Sequence, residues 1–259
     1  MPSPSPCADP AAILITGASS GLGAALAQGY AKAGITLFLT GRDEARLAAV
    51  AQTCREREAE VVTAALDVTE SEAVAAWIAA CDRHRPLDLV IANAGISAGT
   101  AGGAEGADQT RKIFAVNLDG TVNTVMPAIA AMRPRGKGQI ALMSSMAGFR
   151  GVGGAPAYCG SKAAVRVWGE ALRGALAADG IAVSVICPGF VATPMTEVNT
   201  FAMPFLMQAD DAARLIRRKL AANCGRIAFP GPMAALAWLG AALPDIVADR
   251  LTRLLPAKG

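Results

Sequence analysis

Between Ala11 and Phe229 short apolar runs alternate with longer stretches whose apolar positions recur at helical spacing. The runs Ala11–Thr16, Ile35–Thr40, Glu60–Leu66, Leu87–Ala92, Gly138–Ser144, Ile181–Cys187 and Arg226–Phe229 predict strands. Helices are predicted near Gly21–Ala33, Asp43–Glu58, Glu70–His84, Ala107–Met132, Pro156–Ala178 and Ala209–Ala222. Strand and helix in regular alternation call for a parallel sheet of about seven strands covered by helices on both faces, a doubly wound α/β architecture. Such sheets bind ligands beyond the carboxyl ends of their strands, near the topological switch point, so motifs at strand ends carry most weight.

No Pro/Ser-rich linker or charge run divides the chain internally, which predicts a single domain over residues 11–230. Met1–Pro10 is Pro/Ser-rich and is expected to be a disordered leader. Residues 231–259 form an apolar, then amphipathic tail. From Ile227 to Pro244 no residue is charged, but Pro230, Gly231 and Pro232 interrupt the stretch and argue against a transmembrane helix. Beyond it Ile246, Val247, Leu251, Leu254 and Leu255 recur at helical spacing with Asp249, Arg250 and Arg253 on other faces. That end covers the substrate cleft, joins subunits, or lies on a membrane surface as a peripheral contact; the first two rank higher, because few basic residues are available to hold anionic lipid.

Composition narrows the partners. Charged residues are 17% of the chain and the formal net charge is +3, too weak and dispersed for a nucleic-acid partner, so a small molecule is the expected ligand. Cys7, Cys54, Cys81, Cys159, Cys187 and Cys224 show no CxxC spacing and no secretory signal precedes them, which points to a reducing, cytoplasmic setting. His84 is the one histidine, in an Asp-Arg-His-Arg stretch that reads as a solvated helix end, so a zinc cluster or a Ser-His-Asp triad has almost nothing to build from and no metal is expected.

The first strand ends in Thr16-Gly17-Ala18-Ser19-Ser20-Gly21-Leu22-Gly23, a glycine-rich turn into a helix. Gly17 allows a tight turn, Gly21 a close backbone approach to a diphosphate, and Gly23 close helix-to-sheet packing, while the helix N-terminus offers unpaired N–H groups to the anion. A plain tight turn is the alternative, but a place in the first βα unit favours dinucleotide binding. At the second strand end, Thr40-Gly41-Arg42 puts a glycine where NAD-binding folds present an acid, and a guanidinium beside it. NADP(H) is therefore favoured over NAD(H). Asp43 is the ambiguity, read as the cap of the next helix; a surface pair of Arg42 with Asp43 or Glu44 is the plainer alternative.

Tyr158-Cys159-Gly160-Ser161-Lys162 lies thirteen residues after Ser145. On a helix Lys162 stands one turn from the Tyr158 ring, and a neighbouring ammonium lowers a phenol that otherwise titrates at about 10. Alone, the pentapeptide reads more readily as a surface tyrosine and an ordinary helix lysine, since the two residues four apart arise often by chance. With TGASSGLG at 16–23, Asn93-Ala94-Gly95, Asn117, Ser144-Ser145 and Pro188-Gly189, all in order, the chain resembles the short-chain dehydrogenase/reductases from about Ala11 to Phe229.

The resemblance implies a Rossmann-type fold and a homo-oligomer, dimer or tetramer. It implies Tyr158 as acid/base, Ser145 as the group that polarises the substrate oxygen, Lys162 as the residue that lowers the tyrosine pKa and bonds the ribose, and Asn117 as anchor of a proton-relay water. Ser144 is then only a strand-end residue. The implied cofactor contacts are Gly17, Ser19, Ser20, Gly21, Leu22 and Gly23, then Arg42, Asp67 and Val68, then Asn93, Ala94 and Gly95, and finally Tyr158, Lys162, Pro188, Gly189, Val191 and Thr193. For Asp67 a helix cap before Thr69-Glu70 is the alternative. The Met- and Phe-rich segment from Phe190 to Met207 corresponds to the family's substrate lid and suits an apolar carbonyl or secondary alcohol; simple packing of the lid onto the core is the competing reading. The expected activity is NADP(H)-linked hydride transfer, with a catalytically idle NADP(H)-binding sensor or scaffold as the alternative and a lyase or epimerase ranked lower.

Overall fold

In the first strand, β1 (Ala12–Thr16), all five residues are buried, yet successive side chains leave on opposite faces: Ile13 and Ile15 enter one core, Ala12 and Leu14 another. The same alternation divides Leu37 and Leu39 from Phe38, and Leu89 and Ile91 from Val90. Strands apolar on both faces need a helical layer on each side. The computed structural model, which describes residues 9–98, 104–199 and 201–252, has these layers. Strands β2 (Thr36–Gly41), β3 (Glu60–Ala65), β4 (Leu89–Ala92), β5 (Gly138–Met143), β6 (Ile181–Pro188) and β7 (Arg226–Phe229) join β1 in one parallel sheet of order β3-β2-β1-β4-β5-β6-β7.

Helices α1 (Gly21–Tyr30), α2 (Glu44–Glu56) and α8 (Ala209–Ala221) cover one face through Leu26, Leu47 and Ile216. The other face carries α3 (Ser71–His84), α5 (Gly120–Met132) and α6 (Pro156–Ala175), through Ile78, Ile129 and Val165. The chain runs outward from β1 to β3 and then returns to β4 on β1's other side, so the switch point lies between the carboxyl ends of β1 and β4.

The stretch predicted as one helix over Ala107–Met132 is α4 (Ala107–Phe114), a π-helical turn over Ala115–Asp119, and α5. Asn117 occupies that turn, and π turns inside helices recur at functional sites. With the short 3₁₀ turn that follows α5, this stretch is long and apolar enough to cross a membrane by length and composition, but half of its apolar window is buried inside the fold. After β6 the lid contains a four-residue helix, α7 (Pro194–Glu197), and its two ends are joined by backbone bonds between Phe190 and Met207 and between Ala192 and Met207. Beyond β7 stand α9 (Gly231–Ala242) and α10 (Asp245–Thr252). At the other end, Pro10 is already buried and Asp9 pairs with Lys32 at 3.0 Å; the rest of the expected leader, Met1 to Ala8, lies outside the described residues, as does the tail beyond Thr252.

Candidate active site

The glycine-rich turn is stitched to the end of β4. Asn93 donates its side-chain amide to the carbonyls of Thr16 (2.9 Å) and Gly17 (3.2 Å), and the Thr16 hydroxyl accepts from the backbone N–H groups of Asn93 and Ala94. Gly17, at φ +66°, and Gly21, at φ +54°, adopt left-handed backbone that other residues resist. Gly23 serves contact instead: a β-carbon there would strike the Gly17 carbonyl and the Asn93 amide. Among the described residues nothing caps the first turn of α1, since the Ser20 side chain makes no capping bond and no acidic residue stands there. The open N–H groups therefore face the cleft with the positive end of the helix dipole, a fitting seat for a diphosphate.

At the end of β2, a β-carbon on Gly41 would meet the Ser19 side chain, and Arg42 reaches to 3.8 Å from the Asp67 carboxylate. Asp43 caps α2, accepting from the Arg46 backbone N–H at 2.9 Å and from its Nε at 2.6 Å. The bond from the Arg46 backbone, then that from its side chain, holds the Asp43 carboxyl below its usual range. Asp67 does not cap α3, which begins at Ser71 behind Glu70. Its Oδ1 accepts from the N–H and hydroxyl of Thr69 at 3.0 and 2.9 Å. Burial alone would raise the Asp67 carboxyl, but the Thr69 bonds and the charges of Arg42 and Lys112 outweigh it and keep the pKa below the ordinary value. Val68, buried beside it, accepts from Asn123 through its carbonyl.

Tyr158, Ser145 and Lys162 gather around the start of α6. Tyr158 is hydrogen-bonded to the Ser145 side chain, and the Ser145 Oγ also accepts from the Ala147 N–H at 3.1 Å. Burial pushes the Tyr158 phenol above its usual range, and the bond from Ser145 opposes it. The depression expected from Lys162 is therefore not the dominant influence here. The Lys162 Nζ stands 5.9 Å from the Tyr158 ring centre, but it donates to the Met143 carbonyl at 2.8 Å, and burial lowers its own pKa to about 8. Ser144 is buried and donates its hydroxyl to the Lys162 carbonyl at 2.7 Å, so the two serines separate, Ser145 toward the tyrosine and Ser144 toward the α6 backbone.

Asn117 is fully buried and its side chain is a clamp. It accepts from the Ile96 N–H at 2.8 Å and donates to the Ile96 carbonyl and to the Ser161 Oγ, both at 3.0 Å. Its backbone carbonyl accepts from Thr121. Every predicted cofactor contact, together with Ser145, lines one cleft of about 630 Å³, and Asn117 stands behind its wall. Pro188 and Gly189 form its floor, while Val191 and Thr193 enter from the lid, where Thr193 caps α7 in a reciprocal pair with Thr196.

Several contributors had not been singled out from the sequence, among them Ile96, Arg46, Ser161 and Met195. Arg46 lines the cleft beside Arg42, held there by its bonds to the Asp43 cap, and the Asp-x-x-Arg spacing was its signal. Ser161 lay inside the Tyr158–Lys162 motif without a role until Asn117 reached it. Met195 comes into the lining through the brief α7, which is too short to show periodicity.

The family model for short chain dehydrogenases matches residues 11–202. An uncharacterised oxidoreductase of Myxococcus xanthus is 36% identical over 243 residues, covering 93% of this chain and 96% of that protein. A putative ketoacyl reductase of the monensin polyketide synthase of Streptomyces virginiae is 34% identical over 231 residues, covering 86% of this chain and 87% of its own length. Among solved structures, a short-chain type dehydrogenase/reductase from Mycobacterium marinum superposes with a TM-score of 0.78 at 25% identity, covering 86% of this chain and 94% of that one.

Proposed function

The chain belongs to the short-chain dehydrogenase/reductase family of oxidoreductases, and from that premise we propose that it is an NADP(H)-dependent reductase of apolar carbonyl compounds, run reversibly on secondary alcohols. The observation that carries this reading is the single cleft in which an uncapped helix N-terminus and an exposed arginine lie at one end and the bonded Ser145–Tyr158 pair at the other. A nicotinamide dinucleotide bound there supplies the hydride.

The N–H groups that open α1 would hold the diphosphate, with Gly17, Ser19, Ser20, Gly21, Leu22 and Gly23 lining that part of the cleft. Arg42, with Arg46 beside it, binds a 2′-phosphate: Gly41 offers no repulsion and the Asp43 carboxylate is already occupied by Arg46. Asp67 and Val68 would flank the adenine, Asn93, Ala94 and Gly95 the adenosine ribose, and Pro188, Gly189, Val191 and Thr193 the nicotinamide, all of them lining the cleft.

Tyr158 acts as the acid. A phenol held above its ordinary range is protonated at neutral pH, so it donates to the substrate oxygen as negative charge develops there, and Ser145 shares that charge by hydrogen bonding. Lys162, mostly charged at pH 7 with a pKa of about 8, stabilises the phenolate left behind. Asn117 fixes Ile96 to Ser161 and so sets the wall against which Tyr158 works. Exposed Met195, Val198, Phe205 and Leu206 on the lid support an apolar substrate, as does the ketoacyl activity named for the polyketide relative. The reading extends to one catalytic domain over residues 11–230 in a homo-oligomer, and to a cytoplasmic setting, with which the free thiols of the described cysteines agree.

Oxidation of NADPH and NADH across matched apolar and polar ketones tests it. Turnover with NADPH at least about tenfold better on apolar ketones is expected, since each buried methylene contributes about 0.8 kcal/mol. Tight NADPH binding with no turnover on any ketone would favour the idle sensor instead.

A further inference from the structure

Helix α6 carries Tyr158 and Lys162, yet its own sequence gives it no cap: Ala155 at the N-cap has no side-chain oxygen, and Pro156 opens the helix without an N–H. The first N–H of the helix belongs to Ala157, immediately before the tyrosine. It donates to the Oε2 of Glu105 at 2.9 Å, a carboxylate from the segment that leads into α4. Glu105 is itself held by Thr110 at 3.3 Å and Gln109 at 3.4 Å, both on α4. Four residues further along α6, Ser161 is held by Asn117. Tyr158 thus lies between two anchors on one helical turn, and Asn117, which holds Ser161, also binds Ile96.

We propose that Glu105 is a positioning residue for the reaction, capping α6 from outside the helix and holding Tyr158 at its bond to Ser145. This rests on the acid role assigned to Tyr158 above. Helix ends fray when their first N–H groups lack partners, and the tyrosine sits in that first turn. A displacement of about 1 Å at a reacting group costs up to about 10²-fold in rate, so loss of the anchor acts on the chemical step rather than on the distant dinucleotide seat.

The test compares Glu105→Ala, which removes the acceptor, with Glu105→Gln, which keeps an oxygen acceptor. Glu105→Ala is expected to lower kcat about tenfold with NADPH Kd unchanged, and Glu105→Gln to restore most of the loss. A second readout needs no substrate. The chain has two tyrosines, Tyr30 and Tyr158, so an ultraviolet titration with Tyr158→Phe as blank reports Tyr158 alone. Its near neighbours are Ser145, Cys159 and Lys162, none of which is altered. Because burial holds the phenol up, a frayed turn that admits water shifts its titration down toward the ordinary value in Glu105→Ala and not in Glu105→Gln. A wild-type kcat in Glu105→Ala, an unmoved titration, or a glutamine variant no better than alanine would each overturn the proposal. Absence of turnover in the wild-type enzyme would count against the reductase reading and not against Glu105, whose effect is still read by the titration.

Discussion

Lys162 holds a charge that its surroundings disfavour. Its side chain is buried, it donates to the Met143 carbonyl, and burial brings its pKa from 10.5 to about 8. The unfolded chain keeps this proton up to its higher pKa while the folded protein releases it near the lower one, so between the two the unfolded state binds more protons and stability rises with pH. The gain attributable to this one group is up to about 3 kcal/mol. Lys162→Met is therefore expected to be more stable than wild type at pH 7, to lose that advantage by about pH 10.5, and to turn nothing over. Urea unfolding of both proteins across this range checks it, and an advantage independent of pH would refute the assignment. At the other end of the cleft, Arg42→Ala is expected to weaken NADPH binding by about 10- to 100-fold, the worth of a charge-assisted contact to phosphate, and to leave NADH nearly untouched. Equal losses in titrations with the two cofactors would remove the 2′-phosphate role. Arg42 was legible because a strand end is a fixed address. Arg46 was not, because its approach depends on where the Asp43 cap starts α2.

The central strands announced themselves through apolar residues on both faces, and even at the edges, where Glu60 and Thr63 of β3 and Arg226 of β7 are exposed, each predicted run lies within two residues of its strand. Helix interiors were less transparent. The π turn at Asn117 was read as continuous helix, since one extra residue in a turn hardly disturbs apolar periodicity, and it was the hydrogen bonds of Asn117 to Ile96 and Ser161 that exposed its purpose. Helix α9 was described only as an apolar tail, because a helix apolar on every side shows no periodicity. The tight seat of α1 yields a firm prediction. Gly23→Ala places a methyl against the Gly17 carbonyl and the Asn93 amide, and overpacking of this kind costs about 1–3 kcal/mol. The variant should melt lower and lose dinucleotide binding as α1 is pushed off the turn. Calorimetry and a cofactor titration check both, and unchanged binding would mean the glycine serves only the backbone.

The molecule as assembled opens its cleft where the sheet order reverses, between the ends of β1 and β4, with residues of β5, α6 and the segment after β6 lining the rest of it. Nothing in the sequence pattern alone could have joined Glu105 to Ala157, fifty-two residues apart, or Asn117 to Ser161, because such pairs exist only once the layers have stacked. The five described cysteines are free, four of them buried, and Cys54, Cys81 and Cys187 are pushed up to about 11, 12 and 11 by burial, so they are inert thiols at neutral pH. The melting temperature should therefore be the same with and without reductant, and a drop on reduction would contradict this. The most direct measurement of the account is single-turnover NADPH oxidation by wild type and Tyr158→Phe on the best apolar ketone, at matched NADPH occupancy. The account predicts a loss of at least about 10²-fold, the usual worth of a positioned general acid, with NADPH Kd unchanged. A phenylalanine variant that keeps the wild-type rate would contradict it.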